Sequence, residues 1–386
     1  MELHKTRFWR HLVKDKFAIV AFIVIGFYFI IAILVFVAKQ DLKTLCTLRV
    51  GPQNAPGFVE PTPEQRIDFA EFYLEEIDGA LKKSDATTAL AQINIVNLPA
   101  ANLPIEEMRD RVKQAFATFD ELIKAEANEV DLALLGKLEV QVDELYQQPT
   151  GFSAFVRNFL LCCGTDRLGR SILLRAMFSV LVAIQIGFVT ALVSVFVGTL
   201  LGTTAGLYGG IFDHVVIWLY TTFSSIPSIV LLVLLAYMFK GSRFENTLLP
   251  VYVAFCATYW IGVCRVVRGE TIKIRDLEYV QVTRVLGFNR YYTLWRHIWP
   301  NVSHLMLINF SLLFIGAIKS EVILSFLGLG VKEVPSWGIM ISQSGPEVIN
   351  GFFWQIGTAT AFMFFLVIAF NIVSDFLQDV FDPKHL

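Results

Sequence analysis

Long apolar runs without charged residues dominate the chain, and their lengths predict six membrane-spanning helices. The first run extends from Phe17 to Ala38, and about 20 such residues suffice to cross a bilayer as a helix. Pro227 and Pro250 interrupt or begin two later runs, so the bounds of those spans depend on the prolines. By apolar length, the other five spans cover residues 177–203, 215–239, 248–268, 302–327 and 351–375.

Basic residues predict the orientation of these spans. Lysines and arginines are retained on the cytoplasmic side, and five of them precede the first span: Lys5, Arg7, Arg10, Lys14 and Lys16. A second basic stretch, residues 279–301, lies between the fourth and fifth spans and carries Arg284, Arg290, Arg296 and His297. Six spans place both termini and this stretch on the cytoplasmic side. The charge distribution and the number of spans therefore agree.

The segment between the first two spans, residues 41–163, has a different composition. It contains 20 acidic and 11 basic residues, and the number of spans places it outside the cell membrane. Thr62-Pro63-Glu64-Gln65 has the features of a helix start, with a hydroxyl N-cap, an early proline and a glutamine at the third position. Apolar residues then recur at helical spacing in three stretches that include Ile67, Ile105 and Leu135. We therefore predict a small helical extracytoplasmic domain.

The composition agrees with a membrane protein and argues against several other classes. Hydrophobic residues make up 55% of the 386-residue chain and charged residues 17%, whereas soluble domains carry roughly 25% charge. A net charge of −2 gives no indication of nucleic-acid binding. No zinc-ligand spacing, His-Glu-x-x-His sequence or Gly-x-Ser-x-Gly sequence occurs. We expect contact with membrane lipid, and we expect no nucleic-acid partner, metal site or catalytic residue.

The five cysteines fall into two groups. Cys256 and Cys264 lie in a predicted span and are most simply buried small hydrophobic residues. The others are predicted outside, where a disulfide from Cys46 to either Cys162 or Cys163 would close the base of the inserted domain in an oxidising compartment. Three external thiols cannot all pair within one chain.

Gly164 to Ser171 matches a phosphate-binding loop except that Arg170 replaces the lysine. That loop needs a buried strand before it, a helix after it and a lysine that reaches the phosphates. The preceding residues, Phe159 to Cys163, form a weak strand at best. The number of spans also places the site away from cytoplasmic nucleotide. We therefore reject nucleotide binding here.

The basic stretch 279–301 has a glycine at its middle, Gly287, where a helical run could break and turn because glycine tolerates positive φ. Pro300 would end the stretch just before the next apolar run, because proline lacks a backbone donor. From these features alone, the stretch could be an ordinary solvated loop.

The same stretch resembles the coupling loop of ABC importer permeases. In that family the loop is a short helix-turn-helix that docks into a groove of the cytoplasmic ATPase. One departure is Gln281-Val282-Thr283, which stands where the family has Glu-Ala-Ala, so a salt bridge from the missing glutamate is not implied. The turn and its spacing are kept, and seven residues stand at matching places: Tyr279, Val280, Arg284, Leu286, Gly287, Pro300 and Asn301.

Two further blocks resemble the C-type permease subunits of dipeptide and oligopeptide importers. Gly164-Thr-Asp-Arg-Leu-Gly-Arg170 is similar to the signature that precedes their second span, where Asp166 would cap a turn and the arginines would anchor at the interface. Glu321-Val-Ile-Leu-Ser-Phe-Leu-Gly-Leu-Gly330 and Pro335-Ser-Trp-Gly338 are similar to the outer end of their fifth span.

The second of these blocks contains candidate residues of the translocation path. Ionisable groups in a span usually face a bundle interior or a water-filled path. Lys319 fits either such a position or one in which its side chain extends to the outer interface. The resemblance favours the interior for the glutamate, and it implies a path or gate made by Glu321, Ser325, Phe326 and Gly328.

The resemblance implies the fold of a type I ABC importer permease, an all-α membrane protein with six transmembrane helices and an inserted helical domain. We expect an N-terminal tail and first helix (1–40), an extracytoplasmic insertion (41–163) and a permease core (164–386) that contains the cytoplasmic coupling loop (269–301). The implied partners are a second permease subunit in a heterodimer, two ATP-binding subunits and an extracytoplasmic substrate-binding protein. The ATPase subunits would bind ATP and magnesium, and this chain would bind no cofactor.

The implied function is the import of dipeptides or oligopeptides across a prokaryotic plasma membrane, which is the inner membrane where a cell has two. Nickel complexes or another small solute are alternative cargoes within the same subfamily. A secondary transporter would show inverted repeats and helices broken at mid-membrane, and no such pairing is visible beyond Pro227. A membrane-anchored receptor would account for the external domain but would not need five further spans.

Overall fold

The computed structural model describes residues 15–57, 59–83, 104–125, 131–146, 151–330, 332 and 334–381. Across these residues the regular elements are helices and no strand is present, so the predicted all-α class is confirmed. The first helices are α1 (Lys16–Val37), α2 (Lys39–Leu45), α3 (Pro63–Leu81), α4 (Ile105–Ala125), α5 (Leu132–Leu145) and α6 (Phe152–Leu161).

The remaining helices contain the other apolar runs. A π-helical turn, Leu294–Ile298, lies between the helices Arg290–Thr293 and Trp299–Phe326. In chain order these helices are α7 (Ile172–Tyr208), α8 (Gly210–Ser224), α9 (Ser228–Tyr237), α10 (Leu249–Arg275), α11 (Glu278–Val285), α12 (Arg290–Thr293), α13 (Trp299–Phe326), α14 (Trp337–Gln343), α15 (Gly345–Ile349) and α16 (Trp354–Phe381).

Five helical stretches in the described chain are long and apolar enough to cross a membrane. They are α1, α7, α10, the run Arg290–Phe326 that includes α13, and α16. α8 and α9 pass the same test only as a pair, and they meet at an angle of 86°. The predicted third span, residues 215–239, is therefore bent rather than straight. The break lies at Pro227, which precedes α9 and has no backbone N–H to continue a helix.

Contacts at the helix ends indicate that the α8–α9 pair crosses the membrane once. Arg275, the last residue of α10, donates from Nη1 to the carbonyl oxygen of Gly206 near the end of α7, at 2.9 Å. Arg268 of α10 also pairs with Asp213 in the first turn of α8, with 2.7 Å between Nη2 and Oδ2. The ends of α7 and α10 therefore lie together, which requires two crossings between them. Counted in this way, the chain has the six predicted spans.

Small residues bring α7 and α10 into close contact. Gly198, Gly202 and Gly206 recur at every fourth position of α7. A Cβ atom at Gly198 would lie 2.7 Å from the carbonyl oxygen of Trp260, and one at Gly202 would lie 2.7 Å from that of Cys264. Glycine is required for this approach of two backbones, and small residues at this spacing commonly pack membrane helices together. We call these three glycines and the facing α10 backbone the glycine seam.

The described residues divide into two compact units. The first consists of Met177–Ser342 with the described parts of Met1–Val37 and Thr360–Leu386. The second consists of Ala38–Ala176 with Gln343–Ala359. The second unit thus contains the predicted insertion, and it also takes in a segment between the last two spans that the sequence did not assign to it.

Three helices form the core of the second unit. α3 begins with the predicted reciprocal cap, in which the Gln65 N–H donates to Thr62 Oγ1 at 3.4 Å and the Thr62 N–H donates to Gln65 Oε1 at 3.0 Å. The predicted apolar stretches on α3, α4 and α5 pack on one another, and the placement of this unit outside the membrane stays a prediction. The shared core includes Ile67, Leu74, Ile77, Met108, Val112, Phe119, Leu135, Leu138 and Leu145.

Asp166 organises the turn between α6 and α7, also in the second unit. Its carboxylate accepts hydrogen bonds from the backbone N–H groups of Leu168 and Arg170, both at 2.9 Å. Gly164 and Gly169 have φ of +80° and +72°, which glycine adopts without strain. The expected capping role of Asp166 is therefore seen in the turn.

Two arginines of this region, Arg170 and Arg175, pair with Asp166. Arg175 Nη1 lies 2.5 Å from Asp166 Oδ2, and both side chains are buried. Arg170 Nε donates to the same carboxylate oxygen at 2.8 Å. Arg175 also donates to Gln343 at 2.7 Å and to Gln355 at 3.3 Å. This buried cluster explains why residues 343–359 belong to the second unit, and the interfacial role of the arginines stays a prediction.

Asp166→Asn should strongly destabilise the protein. The substitution keeps the shape of the side chain but removes the carboxylate that pairs with buried Arg175, and breaking a buried ion pair costs about 3–5 kcal/mol. We expect a clearly lower unfolding temperature for the purified full chain. Asp110→Asn is the matched control, because Asp110 pairs with Lys113 at 3.6 Å on an exposed surface and such pairs contribute about 0–1 kcal/mol. Equal unfolding temperatures for the two variants would contradict this account.

Candidate functional site

The stretch 279–301 folds as two short helices joined by a glycine turn. α11 ends in a turn where the Gly287 N–H donates to the Arg284 carbonyl and the Phe288 N–H to the Thr283 carbonyl, both at 3.0 Å. This paired pattern closes many helices and needs a left-handed residue, and Gly287 has φ of +78°. Asn289 then caps α12 by accepting from the Tyr291 N–H at 3.1 Å. The turn therefore lies where the sequence predicts it.

The inner side of this helix pair is anchored in the first unit. Val280, Leu294 and Ile298 are buried, and they belong to one apolar cluster with Val267 and Ile274 of α10. The Thr283 and Thr293 hydroxyl groups, one from α11 and one from α12, lie 3.1 Å apart. The two short helices are consequently held to each other and to the span before them.

The outer side of the pair exposes apolar and basic side chains. Val285 is 87% exposed and Leu286 is 67% exposed. Arg284, Arg290 and Arg296 are exposed on the same segment. Exposed large apolar side chains grouped on one segment are typical of interaction sites. We call it the loop surface, and its apolar members are Val282, Val285, Leu286, Phe288, Tyr291, Tyr292 and Trp295.

The polar residues at the end of the stretch join its two halves. Asn301 donates from Nδ2 to the Tyr279 hydroxyl group at 3.1 Å and to the His297 carbonyl at 2.6 Å. Tyr279 is about half exposed. Of the seven predicted residues, Val280 thus lies in the core, Arg284 and Leu286 lie on the loop surface, Gly287 forms the turn, and Tyr279 bonds to Asn301.

Pro300 does not end a helix, which corrects the expectation from the sequence. Helical structure continues from Arg290 through the π turn into α13, and Pro300 lies in the first turn of α13. The Trp299 N–H donates to the Leu294 carbonyl, five residues earlier. A proline would leave a carbonyl of an ordinary α-helix unpaired and would clash with it. The wider turn before Pro300 accommodates both effects.

Glu321 and Ser325 form a buried polar cluster near the end of α13. Glu321 is 1% exposed, and Ser325 Oγ donates to its Oε1 at 2.6 Å. The Ser336 hydroxyl lies 3.5 Å from that of Ser325. A Cβ atom at Gly338 would lie 2.6 Å from Ser325 Cβ. The glutamate therefore joins the end of the span to the turn at residues 335–338.

The other residues of the predicted path lie elsewhere on this end of α13. Phe326 is 56% exposed, and Gly328 has φ of +75° in the turn that follows the helix. Lys319 is also exposed. The structure thus brings Glu321 and Ser325 together inside the chain, and it does not bring Phe326 to the same cluster.

All five cysteines are free, so the disulfide considered from the sequence, between Cys46 and either Cys162 or Cys163, is not formed in the structure. Cys46 is buried, and its Sγ donates to the Leu174 carbonyl at 3.7 Å. The Cys162 and Cys163 sulfurs lie 3.8 Å from each other. Among the described residues, no group of three or more His, Cys, Asp or Glu side chains is placed to hold a metal ion.

Sequence reasoning missed the aromatic part of the loop surface. Phe288 and Tyr292 stack with 4.9 Å between ring centroids, and Trp295 stacks on Trp299 at 4.6 Å. A usable signal was present, because four aromatic residues within eight positions of a basic loop between spans are unusual for a solvated segment.

Known proteins match the membrane part of the chain. A profile of the family described as "binding-protein-dependent transport system inner membrane component" matches residues 198–385. The dipeptide transport system permease protein of Bacillus subtilis is 30% identical over 57% of this chain and 68% of its own length. The oligopeptide transport system permease protein of Salmonella typhimurium is 37% identical over 57% of this chain and 72% of its own length.

The glutathione transport system permease protein of Pectobacterium atrosepticum is 31% identical over the same share of this chain and 72% of its own length. The residues matched by the family profile include the glycine seam, the loop surface and the Glu321 cluster. The comparisons and the six spans confirm the resemblance seen in the sequence motifs. The chain therefore belongs to the family of binding-protein-dependent transport system inner membrane components and is a membrane-spanning permease subunit of an ABC importer.

Proposed function

We propose that this subunit forms half of a translocation path for dipeptides or oligopeptides that a substrate-binding protein delivers. The peptide cargo is supported by the dipeptide and oligopeptide permease proteins to which the chain is 30% and 37% identical. The observation that carries the coupling role is the loop surface, which is apolar and exposed although its inner side is anchored in the core.

The partners proposed are a second permease subunit, two ATP-binding subunits and the binding protein. The ATP-binding subunits hold ATP and magnesium, and this chain has no catalytic site of its own. Both termini and the loop surface face the cytoplasm of a prokaryotic cell. The basic residues before α1 and along 279–301 support that orientation. The packing of Ala18 of α1 against Phe376 and Val380 of α16 supports placing the two ends of the chain on one side.

The loop surface is proposed to dock into a groove of an ATP-binding subunit. Val285 and Leu286 supply exposed apolar area, and Arg284 adds charge next to them. When the ATP-binding subunits close, α11 moves together with α10, because Val280 packs against Val267 and Ile274. The spans have two arrangements, and the ATP-binding subunits would bind ATP more tightly in one of them. Binding of ATP would thus favour that arrangement.

Glu321, Ser325, Phe326 and Gly328 are proposed to form the outer end of the path or its gate. The hydrogen bond from Ser325 to Glu321 and the contact between Ser325 and Ser336 support a gate that includes the turn at 335–338. A gate of this kind would open when that turn moves relative to the end of α13.

Glutathione is a second candidate cargo, because one relative is a glutathione permease protein. Glutathione is itself a small peptide derivative. Nickel complexes and other small solutes remain outcomes of the same experiment. The family membership leaves no reason to favour a secondary transporter.

The first prediction concerns the assembly and its cargo. Tagged chain purified gently from its native membrane should bring along a second permease subunit and ATP-binding subunits, identified by mass spectrometry. Binding protein loaded with peptide should then stimulate ATP hydrolysis by the complex. Stimulation by another loaded ligand would replace the cargo and keep the class. Recovery of the chain without ATP-binding subunits, in a detergent that preserves other complexes, would contradict the coupling role.

A second prediction concerns the turn at Gly287. Valine there would hold a β-branched residue in left-handed backbone, which costs roughly 1–2 kcal/mol, so Gly287→Val should reduce both retention of the ATP-binding subunits and substrate-stimulated ATP hydrolysis. A Cβ atom at this position meets no other atom within 4 Å, so the backbone conformation alone produces the effect. Gly287→Asn is the control, because asparagine tolerates this conformation. Equal coupling in the valine and asparagine variants would show that the turn does not matter.

A third prediction concerns the proposed gate. Glu321→Gln removes a charge-capable group but keeps a hydrogen-bond acceptor for Ser325. We expect normal assembly with lower transport and lower substrate-stimulated ATP hydrolysis. Lys319→Gln is the control in the same helix, and its exposed side chain should allow near-normal transport. Unchanged transport and coupling in Glu321→Gln would remove Glu321 from the gate.

A further inference from the structure

Two adjacent cysteines in the second unit have no part in the function proposed above. Cys162 follows the last residue of α6, and Cys163 comes next. Their sulfurs lie 3.8 Å apart, with the Cys162 thiol donating to the Cys163 sulfur. Both residues are partly exposed. Two accessible thiols at this distance can react with the same reagent or with each other.

The third cysteine of this unit does not compete for them. Cys46 is buried and its thiol donates to the Leu174 carbonyl. Burial raises the pKa of Cys46 to about 12, so little of it is the reactive thiolate near neutral pH. The spatial arrangement therefore favours the adjacent pair over the disulfide to Cys46 that the sequence suggested.

We propose that Cys162 and Cys163 form a reversible dithiol–disulfide couple that exchanges with a disulfide-bearing oxidant. The site is distinct from the loop surface and from the Glu321 cluster. It requires no metal ion and no further protein side chain.

The exchange balances with a single oxidant molecule. The Cys162 thiolate attacks one sulfur of the oxidant, forms a mixed disulfide and releases the first thiolate. The Cys163 thiol then loses its proton and attacks Cys162 Sγ, which releases the second thiolate and closes the intramolecular bond. Two protein thiols are oxidised and one disulfide is reduced to two thiols. Burial and the neighbouring Cys162 raise the pKa of Cys163 to about 11. Atoms and electrons balance in the same way if the Cys163 thiolate attacks first.

The geometry of neighbouring residues makes this disulfide easy to reduce. Consecutive Cα atoms lie about 3.8 Å apart across a trans peptide, whereas the Cα atoms of most disulfides are about 4.4–6.8 Å apart. A bond between adjacent cysteines is therefore strained, and strained disulfides have more oxidising potentials. The pair is suited to reversible exchange rather than to a permanent structural link.

Formation of the Cys162–Cys163 disulfide should change the conformation of the neighbouring turn. A Cβ atom at Gly57 would lie 2.3 Å from the Cys162 carbonyl oxygen and 2.9 Å from Cys163 Cα, so this peptide has no spare room against residues 55–57. Gly164 follows directly, and its N–H donates to the Leu161 carbonyl at 2.8 Å. Twisting the peptide to close the disulfide should disturb Gly57 and the start of the Asp166 turn.

The full chain, purified with whatever partners it retains, is incubated with bis(2-hydroxyethyl) disulfide. Remaining thiols are then alkylated, the chain is digested, and the peptide masses are measured by mass spectrometry. The peptide that contains both cysteines should lose two hydrogen atoms and resist alkylation, and dithiothreitol should restore it. Amides of residues 164–171 should exchange hydrogen faster in the oxidised chain. Cys46→Ser should behave as the unsubstituted chain does.

Cys162→Ser supplies the decisive control. It should abolish the intramolecular bond and the change in hydrogen exchange, and it should leave Cys163 open to alkylation. The proposal is overturned if both thiols of the unsubstituted chain are still alkylated after incubation with a large excess of bis(2-hydroxyethyl) disulfide. It is equally overturned by a stable mixed disulfide at Cys162, by a bond to Cys46 or by a bond between two chains.

Discussion

The close contact of α7 with α10 at the glycine seam determines where the loop surface lies. With hydrogen atoms at Gly198, Gly202 and Gly206, the α7 backbone reaches the α10 backbone directly. Near the end of that contact, Arg275 of α10 donates to the Gly206 carbonyl. α11 begins three residues after Arg275. A larger side chain at any of these glycines would push α7 and α10 apart and would therefore displace the loop surface as well. The glycines would have this effect although they are buried and contact no partner at the loop surface.

Properties that depend on short stretches of chain were predictable from the sequence. Apolar length located the spans, because the hydrocarbon thickness fixes how many residues a helix needs. The cap at Thr62 and the left-handed turn at Gly287 follow from the local needs of backbone donors and of φ. The loop residues Arg284 and Leu286 were identified by resemblance, and their exposure is consistent with the docking role that stays a prediction.

Features that depend on distant parts of the chain were not predictable in the same way. The hydrogen bonds of Arg170 to Asp166 and Gln343 are one example, because Gln343 lies far from it in the sequence. The sequence predicts a helix end at Pro300. The π turn that accommodates this proline within a continuous helix is visible only in the backbone hydrogen bonds. The bend at Pro227 was signalled by the proline, but its angle depends on packing that the sequence does not specify. The seam was present as three glycines at regular spacing, and its significance depends on the helix that faces it.

The ionic contacts lie at the ends of α7, and its middle is free of them for a physical reason. Asp166 lies before α7 and pairs with Arg175 in the first turn of that helix. Asp213 lies just after α7 and pairs with Arg268 of α10. A charged side chain at the bilayer centre costs about 2.5–3.5 kcal/mol by insertion measurements, which accounts for the uncharged middle of α7. The last third of α7 is joined to α10 by the glycine contacts of the seam. Such contacts have no rotamers to rearrange. α7 and α10 should therefore move as one body when a partner displaces the loop surface, and the bend between α8 and α9 is a place where the chain is already broken and can take up such a movement.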